Sequence, residues 1–203
     1  MVVVLCLIPL AYLLGTFPSA ALVARSRGID ITKAGSGTPG ASNTTRLLGW
    51  KLGLGVLLAD IGKGAIAAGV GLALDGHRGA YVLGVAAVLG HVFPVTRRFK
   101  GGRGVATAAG ALVVVFPLIV LVLGVVWFVI ARGLHKASIA SLVCAVLFPT
   151  VVAVTGGSWG DIAVASGLGV LVIVRHLSNV RRLIRGEEHG LGGSADDGGS
   201  VAA

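Results

Sequence analysis

The chain has 203 residues, of which 55% are hydrophobic and only 12% are charged. A soluble domain normally has about 25% charged residues, and a chain of this size cannot bury so much apolar surface away from water. These values exclude a soluble globular domain, and the 33 glycines favour closely packed membrane helices. The net charge of +9 is explained more simply by basic loops on one side of a membrane than by a nucleic-acid partner.

Six apolar runs are predicted to form membrane-spanning helices. They are residues 2–23, 52–74, 80–95, 105–131, 137–154 and 160–174. Pro117 lies near the middle of the 105–131 run, where a helix should break, and basic segments flank both ends of that run. We therefore predict a short helical hairpin there, 105–115 and 117–131, which gives seven hydrophobic segments in an all-α integral membrane protein.

Most basic residues lie in segments 24–51, 96–104, 132–136 and the C-terminal region. The positive-inside rule places these segments in the cytoplasm and Met1 outside. A signal peptide is the alternative for the first run, but no basic residue precedes it. We predict one transmembrane domain over residues 1–185 and a disordered polar tail over 186–203.

Three polar stretches follow on the predicted cytoplasmic side. Residues 35–46 (GSGTPGASNTTR) combine glycines, hydroxyls, an amide and one arginine. Residues 99–107 (FKGGRGVAT) put Lys100 and Arg103 beside glycines at the start of a predicted helix, whose first N–H groups favour an anion. Residues 175–182 (RHLSNVRR) place His176 and Asn179 on one helix face. Together these donors predict a site for a polyanion, most simply for phosphate.

Each stretch also has a simpler interpretation. Glycine-rich basic loops can contact anionic lipid headgroups, and a histidine at a helix end is often structural. The sequence has no paired carboxylates and no cysteine–histidine spacing typical of a metal site, so we predict no metal and no cofactor. Within the second run, Asp60 and Lys63 are three residues apart, which predicts a structural ion pair on one helix face.

Taken in order, the three stretches resemble those of the bacterial membrane acyl-phosphate:glycerol-3-phosphate acyltransferases, the PlsY type. The resemblance covers residues 15 to 188 and rests on three segments. They are GTFPSAALVARSRGIDITKAGSGTPGASNTTRLLG, HVFPVTRRFKGGRGVATAAG and RHLSNVRRLIRGEE.

The resemblance implies an enzyme of the cell inner membrane that works at the cytoplasmic face. It implies transfer of a fatty acyl group from acyl phosphate to the sn-1 hydroxyl of glycerol 3-phosphate, which gives lysophosphatidic acid and phosphate and opens phospholipid synthesis. The implied partners are these two substrates and membrane lipids, without nucleic acid or cofactor. The oligomeric state stays open, and a monomer is compatible with the sequence.

The resemblance also implies roles for individual residues. The residues implied in catalysis are Ser36, Arg46, His176 and Asn179. Those implied in substrate binding are Gly35, Gly37, Asn43, Lys100, Gly101, Gly102, Arg103, Gly104, Thr107 and Ser138. Glu188 is expected to be structural. His176 is a candidate for the base that takes the hydroxyl proton, and a substrate phosphate oxygen is the alternative.

The sequence departs from the family pattern at Thr38, Pro39, Arg103, Gly133 and His135. These positions leave open a divergent relative with a different acceptor. Two other functions are also open: a transporter of a phosphorylated solute, and a non-catalytic protein whose basic loops bind lipid headgroups. The lack of an internal repeat, and the clustering of polar groups at one face, favour the enzyme over the transporter.

Overall fold

The computed structural model describes residues 1–191, and within them the chain is all-helical, as predicted. One 3₁₀ turn, Val95–Arg97, accompanies the α-helices. The α-helices are α1 (Val2–Gly15), α2 (Ser19–Arg25), α3 (Ala41–Leu48), α4 (Trp50–Val92), α5 (Val105–Val113), α6 (Pro117–Gly133), α7 (Ala137–Val154), α8 (Trp159–Arg175) and α9 (Leu177–Ile184).

The first apolar run, 2–23, is not one continuous helix. α1 ends at Gly15 and α2 begins at Ser19, after Pro18, whose ring removes a backbone donor. Gly15 lies against α4, where a side chain would come 2.0 Å from the carbonyl oxygen of Ala87. The helix α1 therefore ends at a close contact with α4.

The helix α4 doubles back on itself at residues 75–76, where the backbone angles are non-helical. A straight helix of its 43 residues would be about 65 Å long, twice the thickness of a hydrocarbon core. Instead, a side chain at Gly71 would lie 2.1 Å from the carbonyl oxygen of Gly79, and one at Gly84 would lie 3.4 Å from the Cβ of Ala68. The two halves are therefore antiparallel, and they correspond to the predicted runs 52–74 and 80–95.

The helices α5 and α6 are separated at residues 114–116, and Pro117 is the first residue of α6. Pro117 thus breaks the 105–131 run, as its position predicts. α5 packs closely against the first half of α4, because a side chain at Gly64 would meet the Thr107 carbonyl oxygen at 2.1 Å. These small residues let two backbones touch, which is typical of membrane helices.

The helices α6, α7 and α8 pack side by side into the second half of the molecule. The indole of Trp127 donates a 3.0 Å hydrogen bond to the hydroxyl of Ser141, joining α6 to α7. A side chain at Gly169 of α8 would lie 2.6 Å from the carbonyl oxygen of Ala145 in α7. The apolar core here centres on Phe148.

The outer surface of the bundle is apolar, with Leu118 72% and Val154 77% exposed. Surfaces of this kind are found on proteins embedded in lipid. By length and composition, three described segments are able to cross a membrane: Val2–Arg25, Trp50–Arg97 and Ala137–Val154. Counting α8 and α9 together, despite a 52° bend, adds a fourth.

Part of the predicted polar tail is held against the bundle. The backbone N–H of Leu191 donates to the carbonyl oxygen of His135 at 2.8 Å, and the carbonyl oxygen of Gly190 accepts from Arg46. Residues 186–191 therefore pack across the polar end of the molecule. The rest of the predicted disordered tail, 192–203, lies outside the described residues.

Candidate active site

Asn43 organises the first polar stretch from the first turn of α3. Its side chain is buried, and its carbonyl oxygen accepts from the backbone N–H of Ser36 at 2.9 Å and from Arg46 at 3.1 Å. Its amide nitrogen donates to the carbonyl oxygen of Ala34 at 3.1 Å. One amide therefore fixes both the loop before it and the arginine after it.

The glycines on either side of Ser36 allow the turn that presents this residue. Gly35 and Gly37 have φ values of +57° and +66°, in the left-handed region that favours glycine. A side chain at Gly35 would also lie 2.4 Å from the Asn43 side-chain oxygen. The Ser36 hydroxyl is buried without a hydrogen-bond partner among the described residues, so it is free to meet a ligand.

The second stretch lies directly on the end of α4. The backbone N–H of Gly102 donates to the carbonyl oxygen of His91 at 3.1 Å, and a side chain at Gly101 would lie 2.1 Å from that same oxygen. Gly104, with φ of +87°, is the cap residue just before α5. The first N–H groups of a helix have no partner inside it, so the start of α5 offers free donors, and anion binding there stays a prediction.

The basic residues of the second stretch have different surroundings. Arg103 reaches the first stretch, where its guanidinium donates to the Thr38 hydroxyl at 3.4 Å. Burial lowers the pKa of Arg103 to about 10, so it stays charged at neutral pH. Lys100 is exposed, and no hydrogen bond or ion pair joins its ammonium group to the described residues. Thr107 is fully buried, and its hydroxyl has no hydrogen-bond partner within residues 1–191.

In the third stretch, His176 lies at the bend between α8 and α9 and is 2% exposed. Its Nδ1 is 2.8 Å from the carbonyl oxygen of Val172. A carbonyl oxygen only accepts, so in the neutral ring Nδ1 carries the hydrogen and Nε2 keeps its lone pair. His176 is therefore held in the tautomer that a base requires.

Asn179 and Glu188 are bonded to each other in the same region. The Asn179 amide donates to Glu188 at 2.6 Å, and Arg182 donates to the other carboxylate oxygen at 2.8 Å. Burial raises the pKa of Glu188, but these bonds, with Ser138 nearby, outweigh it and leave the pKa below its usual value. The Asn179 side-chain oxygen and the Ser138 hydroxyl are buried and unpaired among residues 1–191.

Direct contacts bring the three stretches together. Arg103 joins the second stretch to the first through Thr38. Arg46 donates from its Nε to the carbonyl oxygen of Gly190 at 2.9 Å, which joins the first stretch to the segment after α9. Arg175 donates to the carbonyl oxygen of Gly101 at 3.3 Å, which joins the third stretch to the second.

The meeting point carries an excess of positive charge. Four guanidinium groups lie close enough to interact with one another or with the Glu188 carboxylate: those of Arg46, Arg103, Arg175 and Arg182. One carboxylate cannot neutralise them, so the arrangement favours an added polyanion. Lys100 takes no part in these contacts.

Arg175 and Arg182 are additions to the residues predicted from the sequence. Each has a buried guanidinium nitrogen without a partner in the described part of the chain. Both lie in the RHLSNVRR run, and the sequence alone explains them equally well as positive charges at a membrane surface. Their contacts with other loops, and not their spacing in the sequence, identify them as part of the site.

A second polar cluster lies deeper in the bundle. The predicted Asp60–Lys63 pair is formed, with 2.8 Å between the carboxylate and the ammonium group and both side chains at most 3% exposed. Ser19 and His91 bond to this pair. Within residues 1–191, no group of three or more His, Cys, Asp or Glu is arranged to hold a metal ion.

Comparison with known proteins agrees with the family resemblance. Residues 5–186 match the family described as glycerol-3-phosphate acyltransferase. The glycerol-3-phosphate acyltransferase of Bacillus cytotoxicus is 41% identical, over 90% of this chain and 92% of its own length. That of Aquifex aeolicus is 40% identical, over 91% of this chain and 97% of its own length.

Solved structures give the same result. The crystal structure of PlsY (YgiH), an integral membrane glycerol 3-phosphate acyltransferase in its glycerol 3-phosphate form, is similar with a TM-score of 0.88 and 37% identity. The match covers 92% of this chain and 94% of that one. The lysophosphatidic acid form of PlsY gives a TM-score of 0.85 over the same shares of the two chains.

Proposed function

The chain belongs to the glycerol-3-phosphate acyltransferase family of integral membrane proteins, and from this premise we propose how its residues carry out acyl transfer. The reaction moves a fatty acyl group from acyl phosphate to the sn-1 hydroxyl of glycerol 3-phosphate and yields lysophosphatidic acid and phosphate. The observation that carries the proposal is the meeting of three loops, where four arginines and several unpaired buried donors surround one carboxylate.

The orientation in the membrane follows from the distribution of charge. We place the three loops and the C-terminus in the cytoplasm, Met1 outside, and seven hydrophobic segments between them, with each half of α4 crossing separately. The α-amino group of Met1 lies 3.2 Å from Asp75, at the turn within α4, which supports placing both on the same side of the membrane. The active site then faces the compartment that holds glycerol 3-phosphate.

The two substrates bring two phosphates close together, and their repulsion must be neutralised. Arg46 and Arg103 approach the site from different loops, and the unpaired N–H groups at the start of α5 add directed donors. The glycines 101, 102 and 104 let a phosphate approach this backbone closely. Thr107 and Ser138 contribute hydroxyls, and Lys100 attracts anions from the surface.

The chemical step is attack of the glycerol hydroxyl oxygen on the carbonyl carbon of acyl phosphate. The new ester bond forms as the bond from that carbon to the phosphate oxygen breaks, and phosphate leaves with the electron pair. The hydroxyl proton goes to Nε2 of His176 or to a substrate phosphate oxygen. Ser36 and Asn179 orient the attacking hydroxyl, and Glu188 holds Asn179 in place.

The test is acyl transfer by purified protein in detergent, with palmitoyl phosphate and labelled glycerol 3-phosphate. Wild type should form labelled lysophosphatidic acid, and Ser36→Ala should lower its rate by about 100-fold, since one directed donor in the transition state is worth this much. Ser26→Ala is the matched control, because the Ser26 hydroxyl is exposed and bonds only to its own helix. Folded wild-type protein without product, or full activity in Ser36→Ala, contradicts the proposal.

A second variant separates the two candidate bases. In His176→Ala, loss of nearly all turnover with unchanged binding of glycerol 3-phosphate indicates that Nε2 takes the proton. Activity within about tenfold of wild type assigns the proton to the substrate phosphate, because general base catalysis normally contributes 100-fold or more.

A further inference from the structure

A chain of buried polar side chains runs from the start of α2 to the end of α4. The Ser19 hydroxyl donates to Asp60 at 2.7 Å, and Asp60 pairs with Lys63 at 2.8 Å. The Lys63 ammonium group lies 2.7 Å from Nδ1 of His91. All four side chains are buried, and the reaction described above uses none of them.

The bonds of Lys63 fix the orientation of His91. An ammonium group has three N–H donors, and here they meet the Asp60 carboxylate, the carbonyl oxygen of Phe17 at 3.3 Å and His91 Nδ1. Since Lys63 only donates, Nδ1 accepts, and the ring hydrogen of His91 is on Nε2. The ring therefore has one tautomer and one orientation.

The second polar stretch, the glycine-rich loop of residues 99–107, packs against this ring. A side chain at Gly102 would lie 2.1 Å from His91 Nε2, and the N–H of Gly102 bonds to the His91 carbonyl oxygen at 3.1 Å. The same added side chain would lie 2.9 Å from the carbonyl oxygen of Pro39, in the first loop. Gly102 therefore lies between His91 and the first loop.

Stability alone does not account for this cluster. A buried ion pair costs desolvation, and apolar side chains of similar size stabilise a protein at least as well. Ionisable groups inside a membrane protein are retained where function uses them. Here the ion pair bonds to the His91 ring, and that ring contacts the loop at Gly102.

We propose that Asp60, Lys63 and His91 are positioning residues that hold the Gly101–Gly102 backbone, and with it the start of α5, where a substrate phosphate binds. The inference rests on the proposed function, in which this loop receives a phosphate of one of the two substrates. The cluster acts through the loop and does not contact substrate. Loss of the ring's support lets the loop move, and a displacement of about 1 Å in a positioned group costs about 100-fold in rate.

The experiment compares His91→Leu with His91→Gln and with the double variant Asp60→Leu/Lys63→Met. The leucine keeps the volume of the side chain but removes the acceptor for Lys63, whereas the glutamine amide can accept from Lys63 and still donate. The double variant removes both charges of the ion pair together, so neither Asp60 nor Lys63 is left buried without its partner, and only the half-buried Arg97 nearby keeps its charge. Tyr81→Phe is the control, because it removes a partly buried hydrogen bond to Asp161 in another part of the bundle.

Three measurements are made on each variant: the melting temperature, the kcat and KM for both substrates, and the binding of inorganic phosphate by titration calorimetry. We expect His91→Leu and the double variant to raise the Kd for phosphate, and the KM of the substrate whose phosphate the loop binds, by about tenfold or more. The KM of the other substrate should change much less. His91→Gln should recover most of this loss, and Tyr81→Phe should match wild type.

The possible results are distinct. Folded variants with wild-type KM and phosphate Kd overturn the inference, as does a drop in melting temperature and active fraction without a change in either constant. If wild type binds phosphate but transfers no acyl group, the proposed function fails, and weaker phosphate binding in His91→Leu still supports the positioning role. If wild type binds no phosphate, the inference fails as well.

Discussion

Replacing Gly102 by alanine should disable the phosphate-binding loop without unfolding the protein. The added Cβ would lie 2.1 Å from His91 Nε2 and 2.9 Å from the Pro39 carbonyl oxygen. Ordinary contact begins at 3.4 Å, and Lys63 prevents the ring from turning away. The loop must therefore move by about 1 Å, and kcat/KM for acyl phosphate should fall by about 100-fold.

The assay is the initial rate of lysophosphatidic acid formation over a range of palmitoyl phosphate concentrations. Gly133→Ala is the matched control, because Gly133 lies at the end of α6 with nothing within 4 Å of an added Cβ. Its rate should equal that of wild type. Full activity in folded Gly102→Ala would refute the reasoning, since the loop would then tolerate the displacement.

Three further predictions concern packing, the first loop and pH. Gly64→Ala should lower the melting temperature, because its Cβ would meet the Thr107 carbonyl oxygen at 2.1 Å. Gly62→Ala has open space around the added Cβ and should leave the melting temperature unchanged or raise it. Equal melting temperatures for the two variants would contradict the packing of α5 on α4. Asn43→Ala should lower kcat/KM by about 100-fold by releasing Ser36, and activity near that of wild type would show that the loop holds itself. Glu188→Gln should destabilise the protein at pH 7 by about 1–3 kcal/mol in thermal unfolding. Because the folded pKa of Glu188 is depressed, its contribution is present above the unfolded value near 4.5 and is lost as pH falls through the folded value, so the difference from wild type should shrink in acid. A difference that persists unchanged there would contradict this assignment.

Apolar runs and proline positions predict most of the helical pattern. Pro117 predicts the break between α5 and α6, since its ring cannot continue a helix. Pro18 likewise marks the break between α1 and α2, but the continuous hydropathy of 2–23 conceals that break. Hydropathy also measures only the apolar content of a segment, so the short helix α3 in a polar stretch escapes it.

The contacts that assemble the site are less visible in the sequence. Glycine and polar residue types identify the three loops, but no local pattern places Arg103 against Thr38 or Arg46 against Gly190. The composition of 186–191 favours disorder, yet Glu188 is held by Asn179 and Arg182. Such contacts depend on how helices distant in sequence pack together.

The buried cluster illustrates the same difference. The spacing of Asp60 and Lys63 predicts their ion pair, because residues three apart share a helix face. Their bond to His91 depends on the reversal of α4 at residues 75–76, which brings its two halves together. A local pattern thus predicts the pair, and only the fold reveals what the pair supports.

The most direct test of the central claim follows the oxygen of the acceptor. Glycerol 3-phosphate labelled with ¹⁸O in its sn-1 hydroxyl is incubated with palmitoyl phosphate and the wild-type protein, and the products are measured by mass spectrometry. Attack on the carbonyl carbon predicts that the label is found in the ester of lysophosphatidic acid and that the released phosphate is unlabelled. Absence of labelled lysophosphatidic acid, with folded protein and both substrates present, would contradict the account.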